Sequence, residues 1–362
     1  MDLFNNPEQL KSETFIIDNN FKCVSLLGEG AMGYVVLALD LNLNRKVALK
    51  ILKPQFNNEL DLIERFKTEA SCIAKLNHPN VVNIYNSGYD SENQLHYIVM
   101  EYIEGYKLSS LIESDLNFEQ VLSIFYIIIS ALHYIHSHDI IHRDIKPANI
   151  MITHNNIVKL VDFGLAKDIG SSLSITKEND FIGTPYYLAP ELWYSSKNIS
   201  KKSDIYSLGV VIYECISKTH PYSGSNHAEL FKNVTTRQYD KLSKTHRHIP
   251  LQFELLLASM LEKSINKRIS TDELFQSFKS VISELGIQLK NYNIPFINEE
   301  RELDLTNIHN KTTIFNPGLT FDENDMNLLT SSSKSLYMGF GIGLTILLSF
   351  IVILIIIAKI IF

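Results

Sequence analysis

The stretch IIHRDIKPANIMI places Asp144, Lys146 and Asn149 on one short loop between two apolar runs. A carboxylate, an ammonium and an amide so close together exceed what a surface turn needs. An aspartate there can accept a hydroxyl proton. A lysine can neutralise a moving phosphoryl group, and an amide oxygen suits a hard cation such as Mg2+. Asp162 ends the apolar run of VKLVDFG beside Phe163 and Gly164, where such a cation would find a carboxylate. Each alone reads equally well as a turn residue. Lys50 ends KVALK, where an ammonium can hold phosphate oxygens, although a lone lysine at a strand end is more often just solvated. In IERFKTEASCIAKL, the residues Ile63, Phe66, Ala70 and Ile73 share the apolar face of a helix, and Glu69 lies within that face. An inward acid is costly unless paired, and Lys50 is its natural partner; the alternative is a boundary glutamate in water. Gly28, Gly30 and Gly33 in GEGAMGYVV let backbone amides approach phosphate oxygens. That spacing also fits an ordinary turn or a dinucleotide fingerprint, but the fingerprint needs a helix after the glycines. Here YVVLALD reads as a strand, so a hairpin lid over phosphate fits better.

These residues need elements to hold them. From Phe21 the runs FKCVSLLGEG, GYVVLALD and RKVALKIL read as short strands separated by glycine or asparagine turns. NELDLIERFKTEASCIAKLN reads as a helix, then VVNIYNSGY and LHYIVMEYI as strands. Beyond about residue 107 helical periodicity dominates, interrupted over 140–195 and ending near Gly286. The expected class is α+β with two lobes: a polar lead over 1–14, a small β-rich lobe over about 15–104, and a larger α-helical lobe over about 105–286, joined at Glu101–Gly105. Residues 287–335 are polar and poorly periodic, and a disordered linker is expected there. SLYMGFGIGLTILLSFIVILIIIA then runs uncharged between Lys334 and Lys359. As a helix, about 24 residues reach about 36 Å, enough to cross the apolar bilayer core. A transmembrane helix over 336–358, acting as a C-terminal anchor, is therefore expected over a buried core helix.

Composition narrows the classes further. The chain has 362 residues and a net charge of -7, with its lysines interspersed rather than clustered, so no nucleic-acid partner is expected. Cys23, Cys72 and Cys215 lack metal-ligand spacing and fit a reduced intracellular setting. MDLFNNPEQL has neither a basic nor an apolar region, so no signal peptide is expected.

Taken in order, GEGAMGYV, VALK, Glu69, HRDIKPAN, DFG and APE resemble the eukaryotic-like, Hanks-type serine/threonine protein kinases over about residues 21–285. HPNVV, SDIYSLGV with Asp204, and NKRIS with Arg268 extend the resemblance, and the Asn-, Ile- and Lys-rich text is closer to bacterial members. It implies the bilobal protein-kinase fold. It also implies ATP and Mg2+, with Mn2+ as an alternative, and protein substrates. In that family Lys50 would hold the α- and β-phosphates and pair with Glu69. Asp144 would deprotonate the acceptor hydroxyl, Lys146 would steady the γ-phosphate, and Asn149 and Asp162 would hold the metal. Leu27, Gly28, Glu29, Gly30 and Gly33 would cover the nucleotide. Val35, Ala48 and Met151 would sandwich the adenine beside the gatekeeper Met100, with the backbone from Glu101 to Ile103 reading its edge. Ile73, Ile84, His142 and Phe163 would stack as an internal spine, and Glu191 would pair with Arg268.

The resemblance also bears on acceptor and regulation. Lys146 beside Asp144, and Thr184 in GTPYYLAPE, imply serine or threonine acceptors. Arg143 typically grips an activating phosphate in this family. Where many relatives carry the acceptor threonine, this chain has Asp180. Asp180 with Glu178 is expected to be a standing negative partner, with phosphorylation at Thr176, Ser174, Ser172 or Ser171 as the rival. Relatives that favour upstream basic residues carry acids where this chain has Lys107 and Ala148, so no strong demand for upstream arginine is expected. The residues that pseudokinases usually lose are present. An active kinase tethered to a membrane and facing the cytosol is therefore favoured over a silent scaffold, and both over a dinucleotide enzyme. The sequence carries no sign of oligomeric state.

Overall fold

A computed structural model describes residues 15–114, 116–164, 185–246 and 248–287. The polar lead, the linker beyond Ile287 and the 336–358 segment lie outside the described residues, as do Thr184, Asp180, Glu178, Thr176, Ser174, Ser172 and Ser171.

The N-terminal part is an antiparallel sheet of β1 (Ile16–Ile17), β2 (Phe21–Glu29), β3 (Gly33–Asp40), β4 (Arg45–Leu52), β5 (Ile84–Asp90) and β6 (Leu95–Glu101), in the order β1-β2-β3-β4-β6-β5, with one helix, α1 (Leu60–Ile73). Strand alternation sorts its side chains. Val36, Ala38, Val47, Leu49, Tyr97 and Val99 close one core with Phe21 and Cys23. On the opposite face, Leu52 and Ile98 meet Leu62, Ile63, Phe66 and Ala70 of α1. β6 lies between β4 and β5 and is buried along nearly its whole length, which is why LHYIVME has little polar alternation. A Cβ on Gly33 would stand 2.3 Å from the Ile51 carbonyl oxygen, so β3 can approach β4 there only as glycine.

Beyond β6 come β7 (Gly105–Lys107), α2 (Leu108–Ile112), α3 (Phe118–Ser137), β8 (Ile150–Thr153), β9 (Val158–Leu160), α4 (Lys201–Ser217), α5 (His227–Thr236), α6 (Leu242–Thr245), α7 (Leu251–Met260) and α8 (Thr271–Glu284). β7, β8 and β9 form a second antiparallel sheet. α3 starts with a reciprocal capping box: the Asn117 side chain accepts from the Gln120 N–H at 2.9 Å, and the Gln120 side chain accepts from the Asn117 N–H at 2.9 Å. It then buries eleven residues, each large aliphatic one contributing about 1.5–3 kcal/mol of transfer free energy. Among the described residues α3 is the one helix long and apolar enough to cross a membrane, and its apolar residues belong to the protein core.

Two element readings need correction. The helix read over NELDLIERFKTEASCIAKLN occupies only Leu60–Ile73. The strand read as VVNIYNSGY begins at Ile84. Its first residues turn to β9 instead: the Val82 N–H donates to the Leu160 carbonyl at 3.0 Å, and the Leu160 N–H donates to the Asn80 carbonyl at 2.9 Å. Their backbone groups are thus satisfied by the other lobe's sheet.

Candidate active site

β4 faces the cleft with Ala48 and Lys50, two residues apart and therefore on one side of the strand. Lys50 Nζ lies 2.7 Å from Glu69 Oε1, and the Glu69 side chain is 3% exposed. The acid in the apolar stripe of α1 has its partner. Burial pushes the Lys50 ammonium down, but the charges of Glu69, Asp162 and Asp144 more than offset it and raise its pKa above the ordinary lysine value. One cation thus sits in the field of three carboxylates, one from α1 and two from separate loops.

The loop from His142 to Asn149 is held from below by a buried carboxylate. Asp204 of α4 accepts the His142 N–H on Oδ2 at 2.7 Å and the Arg143 N–H on Oδ1 at 2.9 Å. His136 Nε2 donates to the same Oδ2 at 2.9 Å, and its Nδ1 lies 2.7 Å from Thr271 Oγ1 on α8. Arg143 and Asp162 take left-handed backbone conformations, φ 70° and 53°. These are costly for residues with side chains, and at Arg143 the bonded amides hold the loop in this shape. On this frame Lys146 Nζ lies 2.9 Å from Asp144 Oδ2. Asn149 Nδ2 donates to Asp144 Oδ2 and to the Asp144 carbonyl, each at 2.8 Å, and to the Asp162 carbonyl at 3.4 Å. With its nitrogen committed, Asn149 keeps its amide oxygen as an acceptor.

The donor chemistry fits a hard divalent cation: one carboxylate, Asp162, and one neutral oxygen, Asn149. No group of three or more His, Cys, Asp or Glu assembles a self-contained metal site among the described residues. Phosphate oxygens and water would complete the shell.

His142 is fully buried and packs on Phe163, ring centroids 4.5 Å apart. Its Nε2 donates to the Val161 carbonyl at 3.0 Å, while Nδ1 accepts from the Asp144 N–H at 3.3 Å. Ile73, Ile84 and Phe163 line one small cavity with Lys50, Glu69 and Met100. Arg268 meets Glu191 through two parallel bonds of 2.8 Å.

Near the glycine hairpin, Ala48 stands opposite Met100, both buried, and Val35 opposite Lys50. Met151 pairs with Lys107, and Ile103 is buried in the crossing between β6 and β7. Leu27 is exposed. A Cβ built on Gly28 would meet nothing within 4 Å, and one on Gly30 only the Gly33 carbonyl at 3.7 Å. Unlike Gly33, these two answer to no internal clash; what their missing side chains leave is room over the cleft. Glu29 turns its carboxylate to Lys53, at 2.6 Å.

Two ion-pair partners escape a reading by motif. Lys53 is one. The other is Lys159 of β9, whose Nζ lies 2.6 Å from Glu101 Oε1 and 2.7 Å from Oε2. Glu101 Oε2 also accepts from the Asn83 backbone N–H at 3.2 Å and from Asn83 Nδ2 at 2.9 Å. The only signal was a lysine inside the otherwise apolar strand VKL, which is buried.

A β-sheet lobe and a helical lobe with a Lys–Glu pair, a loop aspartate and a glycine hairpin define a protein-kinase architecture. Residues 21–278 match the protein kinase domain family, and the chain belongs to that family. The serine/threonine-protein kinase PrkC of Bacillus subtilis (strain 168) is 35% identical over 259 residues, 71% of this chain and 39% of PrkC. The serine/threonine-protein kinase PknB of Mycobacterium leprae (strain TN) is 35% identical over 259 residues, 70% of this chain and 42% of PknB. A probable serine/threonine-protein kinase of Clostridium perfringens (strain 13 / Type A) is 34% identical over 289 residues, 79% of this chain and 41% of that protein. The chain spans about two-fifths of the length of these relatives. The crystal structure of Rad53 1-466 in complex with AMP-PNP superimposes with a TM-score of 0.60 at 27% identity, covering 71% of this chain and 64% of that one.

Proposed function

We propose that this chain transfers the γ-phosphoryl group of ATP to serine or threonine hydroxyls of protein substrates. The observation that carries the reading is the meeting of Lys50, paired with Glu69 at 2.7 Å, with Asp162 and the Asp144–Lys146–Asn149 cluster. Asp144 takes the proton of the acceptor hydroxyl as its oxygen bonds to the γ-phosphorus and the bond to the β-phosphate bridging oxygen breaks. Lys146 steadies the transferring group, and Lys50 holds the α- and β-phosphates. Asp162 and Asn149 would hold Mg2+ or Mn2+, which when bound neutralises phosphate charge. Gly28, Gly30, Gly33, Glu29 and Leu27 cover the nucleotide. Val35, Ala48 and Met151 enclose the adenine, Met100 backs it, and the backbone from Glu101 to Ile103 reads its edge. Serine or threonine as acceptor is supported by Lys146 beside Asp144 and by the relatives' names.

The apolar run over 336–358 supports a membrane tether, with residues 287–335 as its linker and the catalytic part in the cytosol, where ATP is. Tethering raises the effective concentration of substrates near the membrane.

The test is transfer of labelled γ-phosphate by the full chain with Mg2+, beside Asp144→Asn, on itself and on a general acceptor protein. Label on serine or threonine that disappears in the variant is the expected result. ATP binding without transfer would sink the reading and favour a scaffold.

A further inference from the structure

The hairpin that covers the phosphates in this reading carries an acid at the end of β2, Glu29. A carboxylate so placed repels a triphosphate unless its charge is met. Lys53, one residue past β4, meets it with Nζ 2.6 Å from Glu29 Oε1. The Lys53 side chain is 16% exposed, against 54% for Glu29, so the lysine is the seated member of the pair. Its ammonium lies over the Tyr34 ring, 5.2 Å from the centroid, and its backbone N–H donates to the Met32 carbonyl at 2.9 Å. Tyr34 faces Glu29 across the β2–β3 ladder. One residue therefore touches the end of β2, the turn itself and the start of β3. Lys50, by contrast, is occupied by Glu69, Asp162 and Asp144. The two lysines at the end of this strand serve different acids.

We propose that Lys53 is a positioning residue of the nucleotide site, which neutralises Glu29 and pins the glycine hairpin over the phosphates. The inference rests on the phosphotransfer reading above. A hairpin clamp acts on bound nucleotide before and during transfer alike, so its loss raises KM for ATP and spares kcat.

The experiment uses the full chain with Lys53→Met, Lys53→Arg, Glu29→Gln and the double change Lys53→Met with Glu29→Gln. Steady-state kinetics are measured beside direct titration with AMP-PNP, and thermal melts confirm folding. Lys53→Met is expected to raise KM for ATP and Kd for AMP-PNP about three- to tenfold, with kcat within about twofold. Lys53→Arg restores the parent values. Adding Glu29→Gln to Lys53→Met brings Kd back toward the parent, because the unmatched charge is gone. Unchanged Kd in Lys53→Met overturns the proposal. So does a fall in kcat at constant KM, or a Glu29→Gln effect that simply adds. Should the parent bind AMP-PNP but transfer nothing, the phosphotransfer reading fails while the titrations still decide on Lys53.

Discussion

The two halves of the site are held in different ways. Below the cleft, the loop from His142 to Asn149 hangs by its own amides from Asp204, which is 2% exposed. The helices around it are well finished: α3 and α8 both start with reciprocal capping boxes. Above the cleft, the Lys50–Glu69 pair depends on α1, which has no side-chain cap at Glu59 and packs by a single apolar stripe. Moving the lower loop means stripping amides from a buried charge, whereas moving α1 means sliding one stripe across a sheet. The lower half is thus the harder of the two to move.

The largest expected effect isolates chemistry from this scaffold. Asp144→Asn keeps shape and removes the proposed proton acceptor, so kcat is expected to fall on the order of 1,000-fold, equivalent to about 4 kcal/mol. Steady-state kinetics and a thermal melt check it, and the melting temperature stays put. Next is Asp204→Ala, which leaves the amides of His142 and Arg143 and the ring of His136 without their acceptor. It is expected to cost about 3 kcal/mol in urea unfolding, with activity lost alongside. An unchanged urea midpoint would break the comparison, since the lower half would not then hang from Asp204.

Glu69→Gln probes the upper half. Lys50 loses its ion pair, and kcat/KM is expected to fall about 10- to 100-fold, in line with a charged hydrogen bond of about 1.5–3 kcal/mol. The urea midpoint should hardly move, because the Lys50 side chain is 22% exposed and can take water. A stability loss as large as that of Asp204→Ala would show that α1 is bolted down after all.

What could be read in advance follows the same divide. HRDIKPAN is contiguous, so its reactive residues announce themselves together, and Glu69 is visible as an acid inside an apolar helical stripe. The devices that hold them are not visible in this way. Asp204 bonds to backbone amides, which every residue has, so nothing in the text of its partners marks them. Lys53, just past β4, and Lys159, within β9, look like ordinary lysines because their partners, Glu29 and Glu101, lie on other strands. Val81 and Val82 have strand composition, yet their backbone pairs with β9 rather than with β6. Local pattern reports which side chains are inside; it does not report which backbone they meet.

Acid should strike the lower half at His142. Burial lowers the pKa of His142, against the opposing charges of Asp204 and Asp144. The hydrogen bonds give the reason in atoms: Nε2 already donates to Val161, and a proton on Nδ1 would face the Asp144 N–H it now accepts. Below about pH 6.5 the unfolded chain binds a proton at this histidine that the folded chain refuses. Stability is therefore full above that pH and falls as acid is added, by at most about 1.4 kcal/mol per pH unit from this group. Urea unfolding of the parent and of His142→Gln at pH 7.5 and 5.5 measures it. The variant is less stable at pH 7.5, and the gap should narrow at pH 5.5, because only the parent carries the titrating ring. A gap that stays constant would mean that the ring accepts its proton in the folded loop, and that the Asp144 amide is not what keeps Nδ1 bare.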